Sequence, residues 1–360
     1  MTSVQHMHYS PYVKTKKMPW LRRCLGFGLV GGLMCVAGCA SQPPLVAEFP
    51  AALEASHQHQ GRFFNPWEPF EVQYGALLRE LFKPNRFAGQ EFGPVPRVNP
   101  VAGHGQGVRW LGHATMLIGE GDDYVLTDPH LTERALLIKR KTAPALAPED
   151  IPPLLFALIS HNHYDHLDEK TVLALPADTP WLVPLGLADW FHERGRHQVQ
   201  ELDWWESVEV GGWTAHCVPV QHWSRRIGQP TNSTLWCGWV LESPQKRYFF
   251  GGDTGYFPGF AEIGQRFPNI DVAMLPIGAY YPESFLQYQH MSPDEALQAF
   301  TDLGAKVMLP IHWGSFKLTR EPVAQPPQAL RAAREKRGLN AEQAPVLKLG
   351  ELWTWPSAGP

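Results

Sequence analysis

The chain has 360 residues, 44% of them hydrophobic and 18% charged, with a formal net charge of −4. That composition excludes an intrinsically disordered chain and leaves room for one large folded domain or two small ones. The acidic balance argues against a nucleic-acid partner, which needs a concentrated positive footprint.

The first 38 residues stand apart. Lys14, Lys16, Lys17, Arg22 and Arg23 precede the apolar stretch CLGFGLVGGLMCVAG (24–38). This is the layout of an export signal, and it is short for a transmembrane helix. A start at Met18 would still keep Arg22 and Arg23. Val36-Ala37-Gly38-Cys39 resembles the lipobox of bacterial lipoproteins. The resemblance implies cleavage before Cys39 and a lipid anchor on that cysteine. With Ala40 behind it, the resemblance also implies sorting to the outer membrane of a bacterial cell envelope, facing the periplasm. Losing residues 1–38 removes five of the 31 Lys and Arg and none of the 35 Asp and Glu, so the mature chain is more acidic still.

Residues 39–105 are rich in Pro, Gly and aromatics and read as a linker, one helix near 70–82, and a wrap over the core. His57 and His59 are predicted to be solvated surface residues, not a metal site. From 107 the pattern turns to short β-rich runs, beginning with VRWLGHAT, TMLIGE and YVLTDP. LLFALIS (154–160) is apolar throughout, as a strand buried on both faces requires. Later strand-like runs are WTAHCVPVQH (213–222), LWCGWVLE (235–242), RYFFGGD (247–253), DVAMLPIG (271–278) and KVMLPIH (306–312). Helical patterns lie between them: DEKTVLAL, LGLADWFHERG, FAEIGQRF and PDEALQAFTDLG. The last carries Ser292 as N-cap, Pro293 at its first position, Glu295 completing a capping box, and Gly304 at its end. A further helix is expected over 328–337. We divide the chain into a signal (1–38), a linker and wrap (39–105), a catalytic domain (106–320) and a C-terminal helix and tail (321–360). Two mixed sheets flanked by helices accommodate the pattern, as other α/β arrangements would. Cys217 and Cys237 sit in apolar runs; a disulfide and two buried thiols both remain open.

Several strand-like runs end in a residue that can hold a metal. LLFALIS leads into SHNHYDHLD, which supplies His161, His163, Asp165 and His166. The others end at His222, Asp253 and His312. Imidazole nitrogens and carboxylate oxygens suit zinc, and seven such groups are enough for two ions. His161 and His163 are two residues apart, so an extended segment points both to one side. A turn after Tyr164 can aim Asp165 and His166 at a second point nearby. His113 reads as a buried scaffold histidine, and Asp128 as a candidate acceptor that fixes the tautomer of a ligand histidine.

The H-x-H-x-D-H pattern resembles the metallo-β-lactamase superfamily of hydrolases. WLGHATMLI, LTDP, LISHNHYDHLD, VPLGLADW, ELDWWE, QHWSRR, GGDTGY, PIGAYYPESFLQYQHMSPDEA and IHWGSF resemble, in the same order, its N-acylphosphatidylethanolamine-hydrolysing phospholipase D branch. The resemblance covers roughly 62–325 and implies an α/β fold: an αββα sandwich of two mixed β-sheets flanked by helices. It implies two Zn2+ per chain, with His161, His163 and His222 on one, Asp165, His166 and His312 on the other, and Asp253 bridging. It places His290, in YQHMSPDEA, as a further active-site histidine, so that Asp165 and His290 are the catalytic candidates.

The implied reaction is attack of a hydroxide shared by the metals on a glycerophospholipid phosphodiester. Its products would be phosphatidate and an N-acylethanolamine. The expected partners are a phospholipid substrate and a membrane surface reached through the Cys39 anchor; a homodimer is left open. AYYPESFL (279–286) and Trp223 are candidates for an apolar approach to the site. The rival readings are a lactonase or esterase of the same fold and a non-catalytic lipid-binding envelope lipoprotein.

Overall fold

The computed structural model describes residues 49–70, 75, 79–80, 82–99 and 105–355. The expected signal, Cys39, and most of the helix expected near 70–82 lie outside these residues. The chain divides into two units, Met1–Gln42 and Pro43–Pro360, and every described residue belongs to the second.

The sequence from 107 onward folds into two large sheets. The first is built from β1 (Gly107–Gly112), β2 (Thr115–Glu120), β3 (Asp123–Thr127), β4 (Phe156–Leu158), β5 (Trp181–Pro184), β6 (Val199–Leu202) and β13 (Leu352–Trp353). Its spatial order is β6-β5-β4-β3-β2-β1-β13. The second runs in sequence order: β7 (Ser207–Val210), β8 (Trp213–Val218), β9 (Gly238–Glu242), β10 (Arg247–Phe250), β11 (Val272–Pro276) and β12 (Val307–Ile311). Both sheets are mixed. In the first, β1-β2-β3 are antiparallel and β3-β4-β5-β6 parallel. In the second, β7 to β10 are antiparallel and β10-β11-β12 parallel.

One hydrophobic core draws on both sheets. Trp239 of β9 donates its indole N–H to the Ile159 carbonyl just past β4 (3.0 Å), and Trp213 of β8 donates to Asp123 of β3 (3.1 Å). β1 and β2 are buried at every position, Arg109 and Glu120 included, so neither shows the in-out alternation of a strand with one face in water. The helices are α1 (Glu169–Ala174), α2 (Ala188–His192), α3 (Gly259–Arg266), α4 (Glu283–Leu286), α5 (Pro293–Asp302) and α6 (Pro326–Lys336). α5 has the expected capping box at Ser292 and Glu295. Gly304 follows it at φ +61°, where a Cβ would be strained. Among the described residues no helix is long and apolar enough to cross a membrane.

Three expectations need correction. The run 213–222 is a strand only to Val218: Pro219 has no N–H to continue the ladder. Residues 219–222 leave the sheet, with Gln221 bridging Gly255. The run 235–242 becomes a strand only at Gly238, because the amides of Leu235 and Cys237 donate instead to the carbonyls of Leu185 and Ser160. His57 is only partly solvated: its ring stacks on Trp204 at 4.3 Å and bonds Asp203 at 2.7 Å. Cys217 and Cys237 are buried free thiols.

Topology puts chemistry at one edge. β1, β3 and β4 run in one direction in the first sheet, and β8, β10 and β12 run in one direction in the second. The chain leaving their C-terminal ends carries, in order, His113, Asp128, the 160–166 segment, His222, Asp253 and His312.

Candidate metal centre

The structure brings all seven expected metal-binding residues together. His161, His163, His222 and Asp253 form one group of four converging donor atoms. Asp165, His166 and His312 form a second with His113, and Asp253 also groups with His290 and His312. Asp253 lies between them: its Oδ2 is 3.9 Å from His161 Nε2, 3.8 Å from His222 Nε2 and 3.2 Å from His166 Nε2, while its Oδ1 is 3.0 Å from His312 Nε2. Asp165 Oδ2 is 3.6 Å from His166 Nε2 and 3.4 Å from His312 Nε2.

Hydrogen bonds behind the cluster settle which ring nitrogens face inward. Asp128 Oδ2 accepts from His166 Nδ1 (2.6 Å) and from the Ser160 hydroxyl (2.6 Å), and its Oδ1 accepts from the Ser160 amide (2.7 Å). With its own proton committed to Asp128, Ser160 Oγ accepts from His161 Nδ1 at 2.9 Å. His222 Nδ1 donates to the Gln289 carbonyl at 3.0 Å. The Nε2 atoms of His161, His166 and His222 therefore face one another and two carboxylates.

Two buried carboxylates among these rings require protons or cations to balance them. His161 Nε2 and His163 Nδ1 approach to 2.8 Å, and His222 Nε2 and His163 Nδ1 to 3.2 Å. His166 Nε2, His312 Nε2, Asp253 Oδ1 and His290 Nδ1 are buried without a hydrogen-bond partner, although several lie close together. Groups that crowd without pairing are aimed at a shared third point. The residue set fits cations.

Electrostatics give the same picture. Burial pushes the pKa values of His161 and His222 well below the usual range, so both stay neutral. For Asp165 and Asp253 burial opposes ionisation, yet His166 and neighbouring histidines hold both well below the ordinary carboxylate range. Burial would lower His166 and His312 too, but the carboxylates raise His166 well above normal and His312 to about 9. Two carboxylates thus demand two positive charges here. Divalent cations compete for that place with the protons on His166 and His312.

Three of these residues are held in left-handed backbone conformations: His113 (φ +55°), Asp128 (φ +33°) and His312 (φ +61°). Such conformations cost roughly 1–3 kcal/mol each and persist where the surroundings over-determine them. Gly278 shows how tightly His312 is held, because a Cβ there would sit 2.0 Å from the His312 carbonyl oxygen.

His113 lies beside the cluster, its Nε2 2.9 Å from Asp165 Oδ2. Its carbonyl accepts from the His312 amide at 3.0 Å and from Trp110 Nε1 at 3.0 Å, so it braces both Asp165 and His312. His290 Nδ1 is 3.9 Å from Asp253 Oδ2. Trp223 packs edge-on against His163 (4.6 Å between ring centroids) and stacks on Phe70 (5.1 Å). Tyr280, from the other proposed apolar approach, is core and bonds Gln325 instead. The site opens on the side of His163, Asp165 and His290, which are only part-buried, whereas His161, His166, His222, Asp253 and His312 are fully buried.

Sequence reasoning missed Ser160, the Gln289 carbonyl and the wrap that braces His222. Asn65 Nδ2 donates to the His222 carbonyl (3.1 Å) and Trp67 Nε1 to Gln221 (2.9 Å). The only advance signal was the position of Ser160 between strand and cluster; Asn65 and Trp67 lie more than 150 residues away.

Residues 123–313 match the family described as a β-lactamase superfamily domain. The chain belongs to the metallo-β-lactamase superfamily. N-acyl-phosphatidylethanolamine-hydrolyzing phospholipase D 1 of Caenorhabditis elegans is 37% identical over 265 residues, 68% of this chain and 74% of the worm protein. The mitochondrial enzyme of the same description from Saccharomyces cerevisiae is 34% identical over 64% of this chain and 52% of its own. A metal-dependent hydrolase of Methanopyrus kandleri is 27% identical over 68% of this chain and 98% of its own. Among solved structures, isothiocyanate hydrolase from Delia radicum gut bacteria shares the fold (TM-score 0.57, 19% identity, 69% of this chain and 98% of that one). This metallo-β-lactamase-fold protein is a metal-dependent hydrolase, and its His/Asp clusters can bind metal.

Proposed function

We propose that the protein is a zinc-dependent phosphodiesterase that cleaves N-acylphosphatidylethanolamine or a related glycerophospholipid into phosphatidate and an N-acylethanolamine. The observation that carries the reading is the pair of donor groups sharing Asp253, together with kinship to two enzymes described by that activity. His161, His163 and His222 would hold one Zn2+, Asp165, His166 and His312 the other, and Asp253 both. Two such ions polarise a phosphoryl oxygen and bring the pKa of water toward about 7.

The chain's own residues do the rest. Asp128 and Ser160 lock the ring orientations of His166 and His161 before substrate arrives, so little reorganisation remains at the moment of reaction. His290 groups with Asp253 and His312 and is only part-buried on the open side of the site. There its ring can hydrogen-bond a phosphoryl or leaving oxygen. Trp223, against His163 at the open side, offers apolar surface to an acyl chain.

Replacing His290 by Gln is expected to lower kcat on the order of 10²-fold while zinc content stays at the wild-type level. Turnover and metal analysis on one preparation check this, and a zinc-depleted variant would make His290 a ligand. The substrate reading is tested by incubating the purified protein with N-acylphosphatidylethanolamine, phosphatidylcholine, a soluble phosphodiester and a lactone panel, with products read by mass spectrometry. Phosphatidate and N-acylethanolamine are expected; lactone opening with every phosphodiester intact would overturn the reading.

The Cys39 anchor and an outer-membrane location belong to the same proposal, supported by the lipobox-like Val36–Cys39 and a membrane substrate. Intact-mass measurement of protein recovered from bacterial membranes should show a diacylglyceryl modification that Cys39→Ser abolishes. An unmodified Cys39 in the membrane fraction contradicts it.

A further inference from the structure

Six large apolar side chains stand exposed among the described residues, and three are consecutive: Leu136, Leu137 (82% exposed) and Ile138. Leu136 and Leu137 form the turn of a small antiparallel hairpin that pairs Arg134 with Lys139 and Ala135 with Ile138, which stands beside the turn. Leu136 has φ +51°, a conformation that hairpin turns normally give to Gly, Asn or Asp. A leucine there adds backbone strain and also exposes apolar surface to water. Neither the metal centre nor the hydrophobic core uses it.

Charge at the hairpin runs against that of the chain. Residues 131–142 contain one acid, Glu133, against Arg134, Lys139, Arg140 and Lys141. Arg140 is buried, whereas Arg134, Lys139 and Lys141 are exposed at the base of the tip. Arg134 also donates across the turn to the Leu137 carbonyl at 3.1 Å. Apolar residues projecting beyond a ring of cations match the boundary of an anionic bilayer, with acyl chains below and phosphates at the level of the bases.

The hairpin is fastened to the site. Lys141 N donates to the Ser315 carbonyl (2.7 Å), and the Arg140 guanidinium covers the Phe316 ring at 4.8 Å. Both partners follow within four residues of His312. Another exposed apolar residue, Ile227 (75%), bonds through its amide to Tyr164 Oη, between His163 and Asp165.

We infer that the 134–139 hairpin is an interfacial wedge that inserts Leu136, Leu137 and Ile138 into an anionic phospholipid surface and so holds the metal centre against lipid. The inference goes beyond the substrate reading and does not depend on it.

The test uses the full chain with Cys24, Cys35 and Cys39 replaced by serine and an environment-sensitive fluorophore on Leu137→Cys. A control carries the label on Gln245→Cys, an exposed residue in the turn between β9 and β10, at the strand ends away from the cluster. With vesicles of phosphatidylglycerol and phosphatidylcholine, emission at 137 should brighten and shift to the blue, with less change on phosphatidylcholine alone and none at 245. Leu136→Ser or Ile138→Ser should weaken vesicle partition on the order of tenfold, and Lys139→Gln or Lys141→Gln about fivefold each. No response at 137, or an equal response at 245, would overturn the inference. So would a change that tracks protein concentration without vesicles, which would assign the hairpin to a second copy. Immersion without cleavage of N-acylphosphatidylethanolamine would count against the substrate reading alone; cleavage without immersion would count against the wedge alone.

Discussion

Replacing Asp253 by alanine is expected to strip metal and activity together, with kcat/KM falling on the order of 10³-fold or more. Asp253 reaches both donor groups. Its Oδ2 faces His161, His166 and His222, and its Oδ1 faces His312. Removing it deletes a donor from each group and the negative charge that balances His166 and His312. Asp253→Asn separates the two contributions, since it keeps the shape and one acceptor oxygen but not the charge. It should bind metal more weakly than wild type and more strongly than Asp253→Ala. Metal analysis, turnover and circular dichroism on the same samples check both variants. A folded Asp253→Ala protein with full metal content would refute the shared role.

Asp128 carries the second large effect although it lies behind the cluster. Asp128→Ala leaves the His166 ring N–H, the Ser160 amide and the Ser160 hydroxyl without the acceptor they share. All three are fully buried, so their desolvation is no longer compensated and the fold should lose about 2–4 kcal/mol. The freed Ser160 hydroxyl can donate to His161 Nδ1, which would move that ring's proton onto the nitrogen facing the metals. Metal affinity should fall about 10–100-fold. Asp128→Asn retains the volume but can accept at one oxygen only, and its amide N–H₂ must face either Ser160 or His166. It should recover most of the stability and little of the affinity. Titration with a competing chelator, alongside thermal unfolding, separates the two; equal recovery of both would make Asp128 merely structural.

Much of this architecture could be read from the chain because it follows local rules. The continuous apolar run before Ser160 required a strand covered on both faces, and β4 lies at Phe156–Leu158. The Ser292–Glu295 capping box required a helix start, and α5 begins at Pro293. The cluster residues were visible because imidazoles and carboxylates directly after apolar strands have few structural uses. Errors arose where long-range pairing overrode local pattern. The run at 235–242 reads as one strand, but the Cys237 amide turns to Ser160 in the other half of the molecule. His57 looked solvated because nothing nearby in sequence announces Trp204 and Asp203, almost 150 residues on. Nor does anything in His113, Asp128 or His312 announce a left-handed backbone; that conformation belongs to the assembled site.

The central claim is that far-separated strand ends enclose two cation sites joined by Asp253. Anomalous diffraction at the zinc edge from crystals of the zinc-loaded protein tests it most directly. The account predicts two peaks, one in contact with His161, His163 and His222 and the other with Asp165, His166 and His312, with Asp253 touching both. A single peak, or an active protein with no peak among these residues, would contradict it.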